Sequence, residues 1–245
     1  MGDGMDHLMT ATFAALLFAH ALADFVLQTG WMVANKRRPA AMLAHIAVVL
    51  ITAGLALGSV DPILLALAAA HFLIDTAKTF SGKRGLMPFL ADQAAHLASL
   101  LALAVWAPGL WAAGVWAACP TLPAVLALTA GLILTTRVGG FAVGFLMEPW
   151  MTEAPVGLNG GGRTIGYLER GLIFLLVLTG QAEGIGLLIA AKSVLRFSAV
   201  KDDLKVSEYV IIGTLASFGW AILISFLTVF FLSHLPPLGI PDLTP

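Results

Sequence analysis

Long apolar runs decide what this chain can become. Several approach the ~20 consecutive apolar residues that a helix needs to cross a bilayer. Of the 245 residues 59% are hydrophobic and 11% charged, against roughly 25% charged in an ordinary soluble domain. In hydrocarbon every backbone N–H and C=O must be paired within the protein, which leaves helices or closed barrels. Runs of this length select helices. The expected fold is an all-α, polytopic membrane helix bundle of about 7–8 spans. The spans fall near 8–28, 41–58, 62–80, 87–107, 122–147, 164–182, 184–198 and 207–233. The seventh is short and carries Lys192 and Arg196 a turn apart.

Charge gives the orientation. Lys36, Arg37 and Arg38 follow the first run, Lys83 and Arg84 the third, Arg163 precedes the sixth, and Lys201 and Lys205 lie between the seventh and eighth. The alternate connections, around Asp61, from Pro108 to Pro123 and around Gln181, hold no Lys or Arg. By the positive-inside rule the basic connections are cytoplasmic and both termini lie outside. No cationic segment precedes the first run, so it is expected to be a retained span rather than a cleaved signal. The 108–123 connection is rich in tryptophan (Trp111, Trp116, with Trp106 just before it) and is expected to lie at the interface as part of an aromatic belt. Near-neutral charge without a basic block argues against nucleic acid as a partner. Membrane lipids are the expected surroundings. The single cysteine, Cys119, excludes an intramolecular disulfide and a cysteine zinc cluster.

Ionisable groups interrupt the apolar runs. His71 and Asp75 sit four residues apart, as do His20 and Asp24, and the order is reversed in Asp92 and His96. On a helix each such pair shares a face, about 6 Å apart along the axis. Such groups at membrane depth are costly and usually face the bundle interior. His20 and His71, Asp24 and Asp75, and His45 and His96 are each 51 positions apart. Spans one and two therefore look like a copy of spans three and four, related by a pseudo-twofold along the membrane normal. Asp92 breaks the symmetry, since its counterpart is Ala41. Counted from the basic ends, Asp24, His45, Asp75 and Asp92 lie about one turn deep, with His20, His71 and His96 a turn deeper. Residues 1–107 thus form a four-span unit carrying the cluster, and 108–245 a helical remainder with cytoplasmic basic residues.

Imidazoles and carboxylates on facing helices are a ligand set for zinc, iron, manganese or nickel. Helical bundles build such centres from inward pairs at i,i+3 or i,i+4. The expected metal ligands are His20, His45, His71, His96, Asp24, Asp75 and Asp92, holding one or two divalent transition metals, zinc before the others. Asp24, Asp75 and Asp92 are also the candidate catalytic groups, because a carboxylate beside a metal-bound water can act as general base. The competing account is a self-satisfied polar core of hydrogen-bonded His/Asp pairs. Gln28 and Gln93 extend the polar face as packing or tuning residues, and Lys78 is expected to snorkel to the interface. In the second half, Arg163, Arg170, Lys192 and Arg196 are candidates to hold an anionic group. Arg137, inside an apolar run, is expected to pair with Glu148 or with an aspartate of the cluster.

The segment His20–Gln28 reads H-x-x-A-D-F-x-x-Q, and the chain continues with His71-Phe72-Leu73-Ile74-Asp75, Lys78, Asp92-Gln93 and His96. These stretches, with Ile165–Arg170, Lys192–Phe197 and Glu208–Thr214, resemble a bacterial integral-membrane family whose function is not established. The resemblance implies a bacterial cytoplasmic membrane and groups the later basic segments with the His/Asp cluster. In site logic alone the cluster is similar to the transmembrane ceramidase and receptor-like hydrolases, although the chain has no clear HxxxH. The expectation is a membrane-embedded metal-dependent hydrolase acting at the cytoplasmic leaflet on an amphiphilic or lipid-like anionic substrate. A metal-ion or proton transporter is the alternative from another class, opposed by outer halves of spans one to four that are nearly purely apolar. A bis-histidine haem protein is the third.

Overall fold

Local punctuation sets most helix ends in the computed structural model, which describes residues 2–153, 158–197 and 204–238, without the side chains of 2–4 and 195–197. Ten α-helices account for most of these residues, and no strand occurs among them. Helix α1 (Gly2–Leu22) runs into a π-helical turn at Ala23–Leu27. Thr29 caps the short α2 (Gly30–Ala34) by accepting from Met32 N–H. Pro39 opens α3 (Pro39–Leu57), where a missing N–H costs nothing. Gly58 closes it in the left-handed region at φ 64°, a conformation that residues with a Cβ adopt at a cost. Helices α4 (Leu64–Ser81) and α5 (Leu86–Trp106) follow. After a connection come α6 (Leu122–Ile133), a second π turn at Leu134–Val138, and α7 (Gly139–Met147). Helices α8 (Gly161–Leu178), α9 (Gly184–Phe197) and α10 (Leu204–Leu232) complete the chain.

The described residues form two compact units, 2–133 with 231–238, and 134–230. In the first unit α1, α3, α4 and α5 close a ring in which each packs on the next, and α1 also packs along α6. Small residues on α1 allow this. Ala11, Ala15 and Ala19 are buried with Leu16 against Ala53, Ala56 and Leu57 of α3, Leu64 and Leu67 of α4, and Leu100 and Leu103 of α5. Between helices in lipid there is little hydrophobic drive, so close approach and dense contact do the stabilising. Trp111 joins this core at 5% exposed, with its backbone N–H donating to Thr12 Oγ1, whereas Trp106 is 73% exposed. The connection after α5 is therefore partly folded into the bundle rather than a uniform surface belt. Trp116 donates through Nε1 to Leu55 O, and Gly114 makes room for the Leu57 carbonyl, which an added Cβ would overlap.

Among the described residues five helical segments are long and apolar enough to cross a membrane: Met5–Leu27, Pro39–Leu57, Leu86–Trp106, Leu122–Glu153 and Leu204–Leu232. The first is the most enclosed of them by protein. The chain has the make-up of a multi-pass membrane protein. Helix α4 stands apart because His71, Asp75 and Lys78 interrupt its apolar run.

In the second unit Ile173 and Val177 of α8 pack with Ile185 of α9 and with Phe218 and Ala221 of α10. The π turn at Leu134–Val138 leaves carbonyls without their usual helical donors, and side chains supply them. Trp220 Nε1 donates to Leu134 O at 3.0 Å and Arg170 Nε to Thr136 O at 3.0 Å.

Candidate metal centre

Four histidines from four helices meet in the core of the first unit. His20 of α1, His45 of α3, His71 of α4 and His96 of α5 are each at most 3% exposed. Ring centroids lie 5.1 Å apart for His20 and His96, 4.2 Å for His71 and His96, and 5.1 Å for His45 and His71. The π turn carries Asp24 beneath His20, and Asp75 and Asp92 lie one helical turn from His71 and His96. The structure thus brings together all seven residues singled out in the sequence.

Their atoms are not evenly paired. His45 Nε2 lies 3.4 Å from both Asp24 Oδ1 and Asp75 Oδ2, and 3.1 Å from His71 Nε2. His71 Nε2 lies 3.4 Å from Asp24 Oδ1 and 3.8 Å from Asp75 Oδ2. In a tetrahedral zinc site with ligands at about 2.0–2.1 Å, neighbouring ligand atoms are about 3.3–3.4 Å apart. Four of these separations, 3.1–3.4 Å, are near that spacing, and that of His71 Nε2 from Asp75 Oδ2 is wider at 3.8 Å. Asp24 Oδ1 and Asp75 Oδ2 are buried and accept no hydrogen bond among the described residues. Buried polar atoms are nearly always satisfied, so two bare carboxylate oxygens facing two imidazole nitrogens are acceptors that could hold a cation.

A second group overlaps the first. One ligand atom each from Asp75, Asp92 and His96 lie within 4.8 Å of one another, as do those of His20, Asp24 and His71. His96 Nδ1 lies 2.9 Å from the Asp92 backbone carbonyl, which can only accept. Nδ1 therefore carries the proton, and the buried Nε2, without a partner, presents a lone pair.

Lys36, Lys78 and Gln93 complete the cluster, though the sequence spacing does not single them out for it. Lys36, from the turn before α3, donates to Asp75 Oδ1 at 2.8 Å. Lys78 donates to Asp92 Oδ2 rather than only reaching the interface. Gln93 Nε2 donates to Asp92 Oδ2 at 3.0 Å, which fixes its amide so that Oε1 accepts from His20 Nε2 at 3.3 Å. The periodicity that marks the histidines could have flagged Lys78 and Gln93, which lie on the same helices. Lys36 gave no such signal, because its role depends on a turn folding back. Gln28 keeps a buried Nε2 without a partner.

The anion-holding candidates of the second half separate. Arg163 and Arg170 line one cavity of about 670 Å³ together with Arg137. Lys192 does not line it: its ammonium is 2.7 Å from Glu169 Oε2 and 5.1 Å from the Phe218 ring centre. The side chain of Arg196 lies outside the described residues. Arg137 has no ion pair among the described residues, neither with Glu148 nor with the cluster. Both instead line the cavity, in which opposite charges can share one solvated wall.

No curated protein and no solved structure matches the chain. Residues 12–115 match the family described as "Protein of unknown function (DUF3307)". The match takes in all seven histidines and aspartates of the cluster with Lys36, Lys78 and Gln93, and stops short of the later segments around Ile165, Lys192 and Glu208. The segment that builds the candidate metal centre is similar to that uncharacterised family over these residues.

Proposed function

We propose that the chain is a membrane-embedded, metal-dependent hydrolase working near the cytoplasmic leaflet on an amphiphilic, lipid-like anionic substrate. The observation that carries it is the set of Asp24 Oδ1, His45 Nε2, His71 Nε2 and Asp75 Oδ2, in which each carboxylate oxygen lies 3.4–3.8 Å from both imidazole nitrogens, the nitrogens are 3.1 Å apart, and both oxygens are bare. This donor set suits zinc before iron or manganese, because two imidazole nitrogens and two carboxylate oxygens make up a four-coordinate shell. His96 and Asp92 offer a second, adjoining position that shares Asp75, so one or two ions fit. A bound divalent ion supplies an acidified water. Asp92, whose Oδ1 is buried and unpartnered while Lys78 and Gln93 hold Oδ2, is the residue placed to take a proton from such a water. Lys36 holds Asp75 in one orientation and offsets its charge. Of the cations expected to hold an anionic group, Arg163 and Arg170 line a cavity within the second unit.

The topology belongs to the same reading. Helices α4, α8 and α9 join the five longer segments to give seven or eight spans, in a bacterial cytoplasmic membrane, with basic connections inside and both termini outside. The ring order α1–α3–α4–α5 and the recurrence of His20, Asp24 and His45 at His71, Asp75 and His96 support a duplicated two-helix unit.

One observation favours a second reading. With neutral imidazoles, the three aspartates against Lys36 and Lys78 leave a single negative charge, which one proton would balance. A proton- or metal-transit site would use the same cluster. The histidine rings pack at 4.2–5.8 Å, which does not favour a haem between them.

Metal content separates a metal site from a proton-linked one, and the hydrolysis screen that follows separates hydrolase from metal transit. Detergent-purified protein is measured by plasma mass spectrometry beside His71→Ala and Asp75→Asn. About one or two zinc, iron or manganese ions per chain, lost in both variants, is the expected result and leads to a phospholipid and lipid-amide hydrolysis screen. Folded protein without metal in all three forms sinks the hydrolase and leaves the proton-linked reading.

A further inference from the structure

The second unit contains a feature that the metal cluster does not use. Arg137 from the π turn, Arg163 and Arg170 from α8, and the two tyrosines, Tyr167 and Tyr209, line a cavity of about 670 Å³. Positive-inside topology accounts for cations at a membrane surface. It does not account for Arg170, which is 3% exposed. Nor does it account for Arg137, which interrupts the long apolar segment Leu122–Glu153.

Arg170 is mounted rather than merely tolerated. Its Nε donates to Thr136 O at 3.0 Å and its Nη1 to Ser217 Oγ at 2.9 Å. Of the five N–H groups of a guanidinium, the other three have no protein acceptor among the described residues. Glycines form the slot around it. A Cβ on Gly139 would lie 3.0 Å from Arg170 Cδ, one on Gly140 3.2 Å from Nη2, and one on Gly166 2.9 Å from Nη1. Tyr167 stacks beneath the guanidinium, 5.5 Å from ring centre to Cζ. A buried cation so fixed, with donors to spare beside an open cavity, is a ligand anchor.

The lining gives the ligand class. Arg137, Phe141, Gly144 and Glu148 follow one another at spacings of four, three and four, so they share a helix face. Nothing lies within 4 Å of a Cβ placed on Gly144, so this glycine opens the cavity rather than permitting a close contact. Three arginines against Glu148 leave a lining charge of about +2. A carboxylate brings one charge and two oxygens. A phosphate monoester brings up to two charges and three free oxygens, which better matches guanidinium forks converging from α8 and the π turn. Phe141, Phe145 and Met151 supply an apolar wall beside these cations.

We propose that the second unit holds a binding site for a phosphate group, presented by an amphiphile or as free phosphate, with Arg170 as the fixed anchor and Arg137 and Arg163 as its charge partners. The site rests on the proposed hydrolase only for the name of substrate; binding itself needs no metal.

The test is therefore made on full-length, chelator-treated protein in detergent, by native mass spectrometry. The probes are dihexanoyl phosphatidic acid, inorganic phosphate and decanoate. One phosphatidic acid per chain is expected, with affinity at least tenfold lower in Arg137→Gln and in Gly144→Leu, and unchanged in Lys205→Gln, whose side chain is exposed and paired elsewhere. Gly144→Leu fills open space and keeps every charge, so it reports on the cavity when its melting temperature stays at that of the parent. Phosphatidic acid binding alone identifies a lipid source, and equal binding of inorganic phosphate a soluble one. Decanoate binding as tightly as either, no binding of any probe, or binding indifferent to both cavity variants overturns the proposal. Loss of metal with phosphate binding intact removes the hydrolase reading and leaves this site standing.

Discussion

Asp24 is the residue on which the two readings of the cluster differ most. Its Oδ1 lies 3.4 Å from two imidazole nitrogens and has no hydrogen-bond partner among the described residues, and no lysine faces it as Lys36 and Lys78 face Asp75 and Asp92. If the site binds a metal, Asp24→Asn removes a ligand charge, and metal affinity falls at least tenfold, on the scale seen even for residues that only support a ligand. In chelated protein the same change removes a poorly paired buried charge, so the melting temperature holds or rises. Melting curves with and without added zinc check both halves of this prediction. Lys36→Met behaves in the opposite way. It strands Asp75 Oδ1, and the metal-free protein loses about 1–3 kcal/mol, because a buried acceptor is left without its donor. Thermal unfolding in detergent reads that loss. At this scale the sequence was informative about histidines and aspartates, whose four-residue spacing carries over directly to a helix face. It was silent about Lys36, which reaches Asp75 only because the α2–α3 turn folds over the cluster. It also misplaced the weight on Lys192, since a cation near a membrane boundary does not reveal whether Glu169 already holds it.

The helix ends and the long apolar elements follow from Gly, Pro and run length, and the expected apolar runs fall on observed helices, five of which among the described residues are long and apolar enough to cross a membrane. The two π turns had no such mark. Ala23–Leu27 and Leu134–Val138 look like unbroken helix in sequence, yet they place Asp24 and Arg137. An extra residue in a helical turn leaves carbonyls unpaired, and such turns are frequent at functional sites. The second is held by side chains far away in the chain, which is why no local window shows it. Trp220→Phe keeps an aromatic ring, though a smaller one, and removes the Nε1 donor to Leu134 O. The expected loss is about 1–3 kcal/mol from an unpaired buried carbonyl, together with weaker phosphatidic acid binding as Arg137 and the Arg170 acceptor Thr136 shift. Gly139→Ala places a Cβ 2.6 Å from the Trp220 ring and 3.0 Å from Arg170 Cδ, and is expected to destabilise by a similar amount, as overpacking does. Both variants are read by melting temperature and native mass spectrometry. A Trp220→Phe protein as stable as the parent would mean that water or an altered turn already serves that carbonyl.

For the whole molecule, the open question is which way the chain is threaded, and the protein carries its own reporter. Cys119 is its only cysteine and is exposed, in the connection between α5 and α6 that holds no Lys or Arg. The basic connections that follow α1 and α4 lie on the opposite side in the expected topology, by the positive-inside rule. Positive charge bias fixes orientation through short connections, and here every alternate one is bare of cations, so the signal is regular over the chain. A membrane-impermeant maleimide added to intact bacterial spheroplasts is expected to modify Cys119. In a Cys119→Ser, Ser81→Cys protein, with the new thiol at an exposed position beside Lys83 and Arg84, labelling is expected only after the membrane is opened. The outcome also bears on function. Lys36 and Lys78 reach the cluster from the basic side, so the labelling pattern tells from which leaflet Asp75 and Asp92 are approached. The reverse pattern would turn the chain over, put the polar ends of α1, α3, α4 and α5 at the outer surface, and move the substrate search from cytoplasmic to outer-leaflet lipids.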